Sequence, residues 1–150
     1  MTLKDKGNMI VRYTFESVLT IHEIKALYGA VGWDHYLDDP AVTARGIAHS
    51  TLLTARDEDG NLVGLIRGVS DMHTIVLIQD LVVHPDYQHQ GIGRELLTRF
   101  DEYFKQVTRI IIICDHPELA AFYAEAGFEP SVNTDLKTYI RPRKLLEPRY

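Results

Sequence analysis

The stretch from Leu81 to Arg94, LVVHPDYQHQGIGR, constrains the fold more than any other part of the chain. An apolar, β-branched run, LIQDLVV, ends at His84-Pro85. A short loop follows, and Gln88-x-x-Gly91-x-Gly93-Arg94 then opens an amphipathic helix with Ile92, Leu96, Leu97, Phe100, Phe104 and Val107 on one stripe. A loop entering a helix in this way gathers backbone N–H groups at the positive end of a helix dipole, a place that binds phosphate or pyrophosphate. Glycines at 91 and 93 let a bulky anion come close to the backbone.

Two phosphate motifs are excluded. A Walker A loop needs Gly-Lys-Ser/Thr, and Arg94-Glu95 stands here instead. A dinucleotide fingerprint needs a third small residue three positions after the second glycine, and that position is Leu96.

Elsewhere the pattern predicts alternating short elements. Residues 9–15 alternate as a first strand. Ile21, Ile24, Leu27, Tyr28 and Val31 have helical spacing that stops at Gly32, with Thr20 or Ser17 as cap. Trp33 and Tyr36 fall in the connection, and Pro40 begins a second helix running toward Ser50. Strands are expected at 51–56, 61–69 and 74–83, the first two joined by a turn at Asp59-Gly60. Arg109–Cys114 reads as a strand buried on both faces, with Cys114 a small core residue. Pro117 opens and Gly127 closes a helix that turns Leu119, Phe122 and Ala126 to the core, and a last strand is expected at 136–141. Residues 1–8 and the tail RPRKLLEPRY are expected to fray or pack peripherally.

The 150 residues suit one domain spanning 1–150. A net charge of −5 argues against nonspecific nucleic-acid binding and favours a cationic or neutral partner. One cysteine cannot form an internal disulfide, which points to a reducing cytoplasm. No apolar run reaches membrane-spanning length and no signal core opens the chain. The 7 histidines are scattered without metal-ligand spacing, so no metal is expected. No Gly-x-Ser-x-Gly hydrolase signature is present.

The loop Gln88-x-x-Gly91-x-Gly93 resembles the acyl-CoA pyrophosphate loop of the GCN5-related N-acetyltransferases (GNAT). The likeness extends over about 50–140: Gly64-Leu65-Ile66-Arg67 is similar to the family's third strand, Leu81-Val82-Val83 to its fourth, and Ala120–Phe128 to its FYxxxGF motif. The resemblance implies an α/β fold, a mixed and mostly antiparallel sheet with helices on both faces. It implies acetyl-CoA as cosubstrate and direct attack of a primary amine in a ternary complex, with a homodimer as one assembly. A non-catalytic acyl-CoA-binding module and a protein lysine or N-terminal acetyltransferase are the alternatives it leaves open.

The same resemblance distributes roles. Leu81, Val82, Val83, Gln88, His89, Gln90, Gly91, Ile92, Gly93 and Arg94 would hold the cofactor. Leu81 and Val83 would bond the pantetheine arm as an added strand, and the N–H of Val82 or a neighbour would meet the developing oxyanion. Asp115 stands near a position that contacts the arm in relatives; a helix N-cap is its other reading. Tyr123 would protonate the leaving thiolate. Trp33, Tyr36, Asp71 and Gln79 would line the acceptor side, with His73 near Asp71. Strand alternation puts Asp80 on one face with Ile78 and Val82, and Gln79 with Leu77 and Val83. An aspartate within so apolar a strand is costly unless paired or functional. Asp80 is then either the base that deprotonates the amine, directly or through water, or a structural group that pairs with Arg67.

Overall fold

The computed structural model describes residues 9–142. The chain divides into two compact units, 1–115 and 116–150.

The first unit contains a five-stranded sheet in sequential order, β1 (Arg12–Glu16), β2 (Thr51–Arg56), β3 (Leu62–Ser70), β4 (Ile75–Val83) and β5 (Arg109–Ile112). The pairs β1–β2, β2–β3 and β3–β4 are antiparallel, and β4–β5 is parallel. Helices α1 (Ile21–Ala30), α2 (Pro40–Ala48) and α3 (Ile92–Tyr103) complete the unit. Thr20 caps α1 in a reciprocal box with Glu23, and Asp39 caps α2 through Val42 N–H.

The sheet is covered on both faces. On one, Leu52, Leu65 and Val82 pack with Ile24, Leu27 and Tyr28 of α1 and Ile47 of α2. On the other, α3 lies close because β3 carries glycines: a Cβ at Gly68 would come within 3.0 Å of Phe100 Cε2 and of Val76 Cγ2.

A β-bulge corrects one expectation. Arg67 pairs with Asp80 and Gly68 pairs with Ile78, so Gln79 is an extra residue on β4. Arg67 and Gly68 are neighbours on β3 and face opposite ways. Ile78 therefore lies on the α3 face beside Val76, whereas Asp80 and Val82 lie on the α1–α2 face. Both Ile78 and Asp80 are buried, in different layers.

Among the described residues, β5 lies at the edge of the sheet with a neighbour on one side only. It is not buried on both faces: residues 110–112 are only half-buried, Ile113 beyond them is 56% exposed, and Cys114 is exposed and not a core residue.

In the second unit a 3-10 turn (Pro117–Leu119) leads into α4 (Ala120–Glu125), which closes at Gly127 with φ +92°. Phe122 and Ala126 are half-buried and Leu119 is exposed. The expected strand at 136–141 does not form; no regular element follows the 3-10 turn Ser131–Asn133 among the described residues. The fraying expected of 1–8 and of the tail concerns residues outside the described ones, apart from 141–142. No helix among the described residues is long and apolar enough to cross a membrane.

Candidate active site

Among the described residues, the C-terminal half of β4 has no strand partner on the side away from β3 and so presents a free edge. Pairing with β5 ends at Ile78↔Ile112, while pairing with β3 continues to Val83. His84 N–H donates to Val63 O at 2.8 Å, which sets the phase of the antiparallel ladder. Asp80 and Val82 turn their backbone groups to β3, and Leu81 and Val83 turn theirs to the free edge. The Val82 N–H is thus directed into the sheet, a correction to its expected role as oxyanion donor; its neighbours Leu81 and Val83 hold that orientation instead.

The free edge runs directly into the glycine loop. A 3-10 turn, Pro85–Tyr87, follows His84, whose Nδ1 accepts the Asp86 N–H at 3.1 Å. Gln88 Nε2 donates back to Val83 O at 2.9 Å and ties the loop to the strand end. His89 has φ +62° and Gly91 φ +85°. Gly91 is the N-cap of α3 and no side chain caps that helix, unlike α1 and α2. The first intrahelical bond is Glu95 N–H to Gly91 O, 3.0 Å, so the amides of Ile92 and Gly93 precede the ladder. Nothing lies within 4 Å of a Cβ built on Gly91. Gln88, His89, Gln90 and Arg94 are exposed, and the Ile92 side chain is buried, leaving its backbone as the part directed outward. Open space, uncapped amides and a helix dipole make a cradle that suits a pyrophosphate.

Beneath the bulge lies a polar cluster in an apolar layer. The Asp80 side chain is 0% exposed. Its Oδ2 accepts from Arg67 Nε at 2.7 Å and from the Tyr28 hydroxyl at 2.9 Å, and its Oδ1 accepts from the Tyr36 hydroxyl. Arg67 also donates to Ser50 Oγ at 3.2 Å. Burial raises the pKa of both tyrosines, and the adjacent Asp80 charge raises them further. Burial opposes the charge on Arg67, but the Asp80 carboxylate more than compensates and its pKa is raised. Gln79 Nε2 lies 3.4 Å from the Tyr36 oxygen. Tyr36 stacks near Tyr28 (4.7 Å), His35 (4.3 Å) and Trp33 (6.1 Å between centroids).

Tyr36, Gln79, Asp80 and Trp33 are therefore gathered in one place. Asp71 is not among them. It sits in the β3–β4 turn, accepting from His73 N–H at 2.9 Å and Thr74 N–H at 2.7 Å. The Thr74 hydroxyl and these amides hold its carboxyl below the usual range. Asp115 is exposed and does not act as a helix N-cap: that position of the following 3-10 turn belongs to His116. Tyr123, in the second unit, packs edge-on against Phe122 (5.2 Å) and Phe128 (6.4 Å).

Sequence reasoning missed two residues. Tyr28 lay within the core stripe of α1, and nothing local distinguishes a tyrosine that bonds a carboxylate from one that only packs. Asp57 is buried and accepts from Asp59 N–H (3.0 Å), Asn61 N–H (2.9 Å) and the Tyr87 hydroxyl (3.4 Å), linking the β2–β3 turn to the loop after β4. The turn sequence DEDGN was its only signal.

Comparison with known proteins agrees with this architecture. A family model described as an acetyltransferase (GNAT) domain matches residues 48–130. The chain belongs to the GNAT family, and its fold is that of the GNAT acetyltransferases. It is 28% identical over 137 residues to the N-acetyltransferase ycf52 of Gracilaria tenuistipitata var. liui, an alignment covering 84% of this chain and 71% of that protein. The ycf52 protein of Porphyra purpurea is 27% identical, and the chain spans only 65% of its length. The GNAT family protein SP0256 of Streptococcus pneumoniae TIGR4 superposes with a TM-score of 0.78 at 29% identity, covering 90% of this chain and 99% of that one. An aminoglycoside N-acetyltransferase, AAC(6')-Iy in complex with CoA, shares the fold at 16% identity, with a TM-score of 0.63 and coverage of 91% and 95%.

Proposed function

We propose that this acetyltransferase moves the acetyl group of acetyl-CoA to a primary amine by direct attack in a ternary complex, as a single 1–150 domain in the cytoplasm. The observation that carries the reading is the free edge of β4 running into the uncapped N-terminus of α3. An extended amide-bearing arm can add to that edge as a strand, with Leu81 and Val83 as its backbone partners. Its pyrophosphate end then meets the amides from Gly91 onward, with Gln88, His89, Gln90 and Arg94 around it. AAC(6')-Iy, whose structure holds CoA, shares this fold.

Bound acetyl-CoA supplies the thioester carbonyl and the thiol leaving group. The protein positions the two reactants and removes solvent disorder from their encounter. Leu81 or Val83 N–H, turned outward, can meet developing negative charge on the carbonyl oxygen. Trp33, Tyr36 and Gln79 form a wall for the acceptor, and Asp80 supplies negative charge behind it. Asp71, and Asp115 as a contact to the arm, keep roles that rest on the resemblance alone. So does Tyr123, assigned from the Ala120–Phe128 motif to protonate the departing thiolate.

The test is acetyl-CoA binding followed by amine-dependent release of free CoA. A melting temperature that rises with acetyl-CoA, together with CoA release on adding primary amines, supports the reading. A thermal shift without CoA release from any amine leaves an acyl-CoA-binding module, and the absence of both overturns the proposal.

A further inference from the structure

We propose that the Tyr36 hydroxyl is the group through which Asp80 acts on the acceptor amine: Tyr36 takes up the amine proton while passing its own to Asp80. The assignment rests on the N-acetyltransferase reading above. Both oxygens of Asp80 are occupied, and its side chain is closed to solvent. An amine cannot reach that carboxylate without displacing a buried partner. Of its three donors, Tyr28 is 0% exposed and Arg67 8%, while Tyr36 is half-buried. Tyr36 is thus the member of the cluster with access to a ligand.

Its position suits the role. Gln79, the exposed bulge residue next to the last β4–β5 pair, reaches the Tyr36 oxygen at 3.4 Å. The hydroxyl therefore stands where the free edge of β4 begins. Its proton is committed to Asp80, so its oxygen has only acceptor capacity left, which the long bond from Gln79 Nε2 shares and an amine can take over. Burial and the neighbouring carboxylate keep the phenol protonated at rest, which makes it a relay and not a standing phenolate.

The proton accounting closes. As the neutral amine nitrogen bonds the carbonyl carbon and the C–S bond breaks, one proton leaves nitrogen for Tyr36 Oη; an ammonium gives its first proton to solvent before it attacks. The Tyr36 proton moves to Asp80 Oδ1, and the thiolate takes its proton from the acid that the proposed function assigns to Tyr123, which solvent then reprotonates. Asp80 then returns its proton through Tyr36 to solvent. Arg67 and Tyr28 stay on Oδ2 throughout; they hold the carboxylate and do not touch substrate.

Tyr36→Phe tests this with n-hexylamine and cadaverine as probes. The expected result is a kcat lower by roughly 10²-fold with an unchanged acetyl-CoA thermal shift. Calorimetry should show amine binding weaker by about tenfold, since one hydrogen bond to the nitrogen is lost. A Tyr36→Phe/Asp80→Asn double variant should be no slower than the slower single variant, because the two residues act as one unit. Wild-type kcat or unchanged amine affinity in Tyr36→Phe overturns the assignment and leaves the proposed function standing; so does a double variant whose losses multiply. If Asp80→Asn does not fold, Tyr36→Phe alone still decides. Absence of amine-dependent CoA release from the wild-type protein overturns the proposed function itself, and this assignment with it.

Discussion

Arg67 Nε and Asp80 Oδ2 meet at 2.7 Å across β3 and β4, a registered pair with side chains 10% and 0% exposed. Two charges this deep are tolerable because each is matched and further hydrogen-bonded, Asp80 by Tyr28 and Tyr36 and Arg67 by Ser50.

Arg67→Met removes the cation and strands a buried carboxylate between two tyrosines. The expected cost is about 3–5 kcal/mol in unfolding free energy, read from urea denaturation. A loss below 1 kcal/mol would mean that the tyrosines alone satisfy Asp80.

Gly91→Val addresses the loop. A Cβ there meets no atom within 4 Å, so the folded chain suffers backbone strain at φ +85° and no clash. That strain costs roughly 1–2 kcal/mol. Most of the acetyl-CoA-induced rise in melting temperature should disappear, because the added side chain fills the space kept open for the pyrophosphate. A full shift in this variant would place the cofactor elsewhere.

Tyr123→Phe keeps the ring among Phe122 and Phe128 and removes only the hydroxyl. If that hydroxyl protonates the thiolate, kcat falls by roughly 10²–10⁴-fold with little change in acetyl-CoA affinity. Unchanged turnover with chemistry rate-limiting would assign Tyr123 to packing.

Acid stability should depend on Arg56, which joins Glu16 of β1 and Glu23 of α1. Burial pushes both carboxyls up, but hydrogen bonds from Arg56 and its charge outweigh it, and both lie below the ordinary 4.5. The unfolded chain then binds more protons across this range. The stabilisation is complete above about pH 4.5 and is lost as pH falls through the lowered folded values. Arg56→Met should flatten the slope of unfolding free energy against pH between about 3 and 5, and an unaltered slope would contradict the assignment.

Local devices were legible in the sequence. The Thr20 cap, the Asp59-Gly60 turn, the α3 stripe and the glycine loop each lie within a few residues of their partners, where propensity and spacing act directly. The polar cluster was only half legible. Arg67 could be named as a partner for Asp80, but Tyr28 and Tyr36 lie 52 and 44 residues away from it, and no periodicity encodes such a meeting. The bulge was hidden too. Strict alternation predicts one face for Ile78 and Asp80, and the extra residue is visible only against the register of β3. The reading of Arg109–Cys114 as fully buried failed because an apolar run alone does not reveal whether both of its faces are covered.

The bulge at Gln79 means that β4 belongs to two layers in succession. Up to Ile78 its buried side chains feed the layer under α3, which is apolar. From Asp80 onward they feed the layer under α1 and α2, where charge is housed. Losing Gln79 would make Ile78 and Asp80 consecutive, which keeps them on opposite faces and turns Gly68↔Ile78 and Arg67↔Asp80 into a regular ladder. A one-residue deletion elsewhere within β4 is the change that would turn part of the strand over, delivering a carboxylate to the neighbourhood of Phe100 or an isoleucine to Arg67.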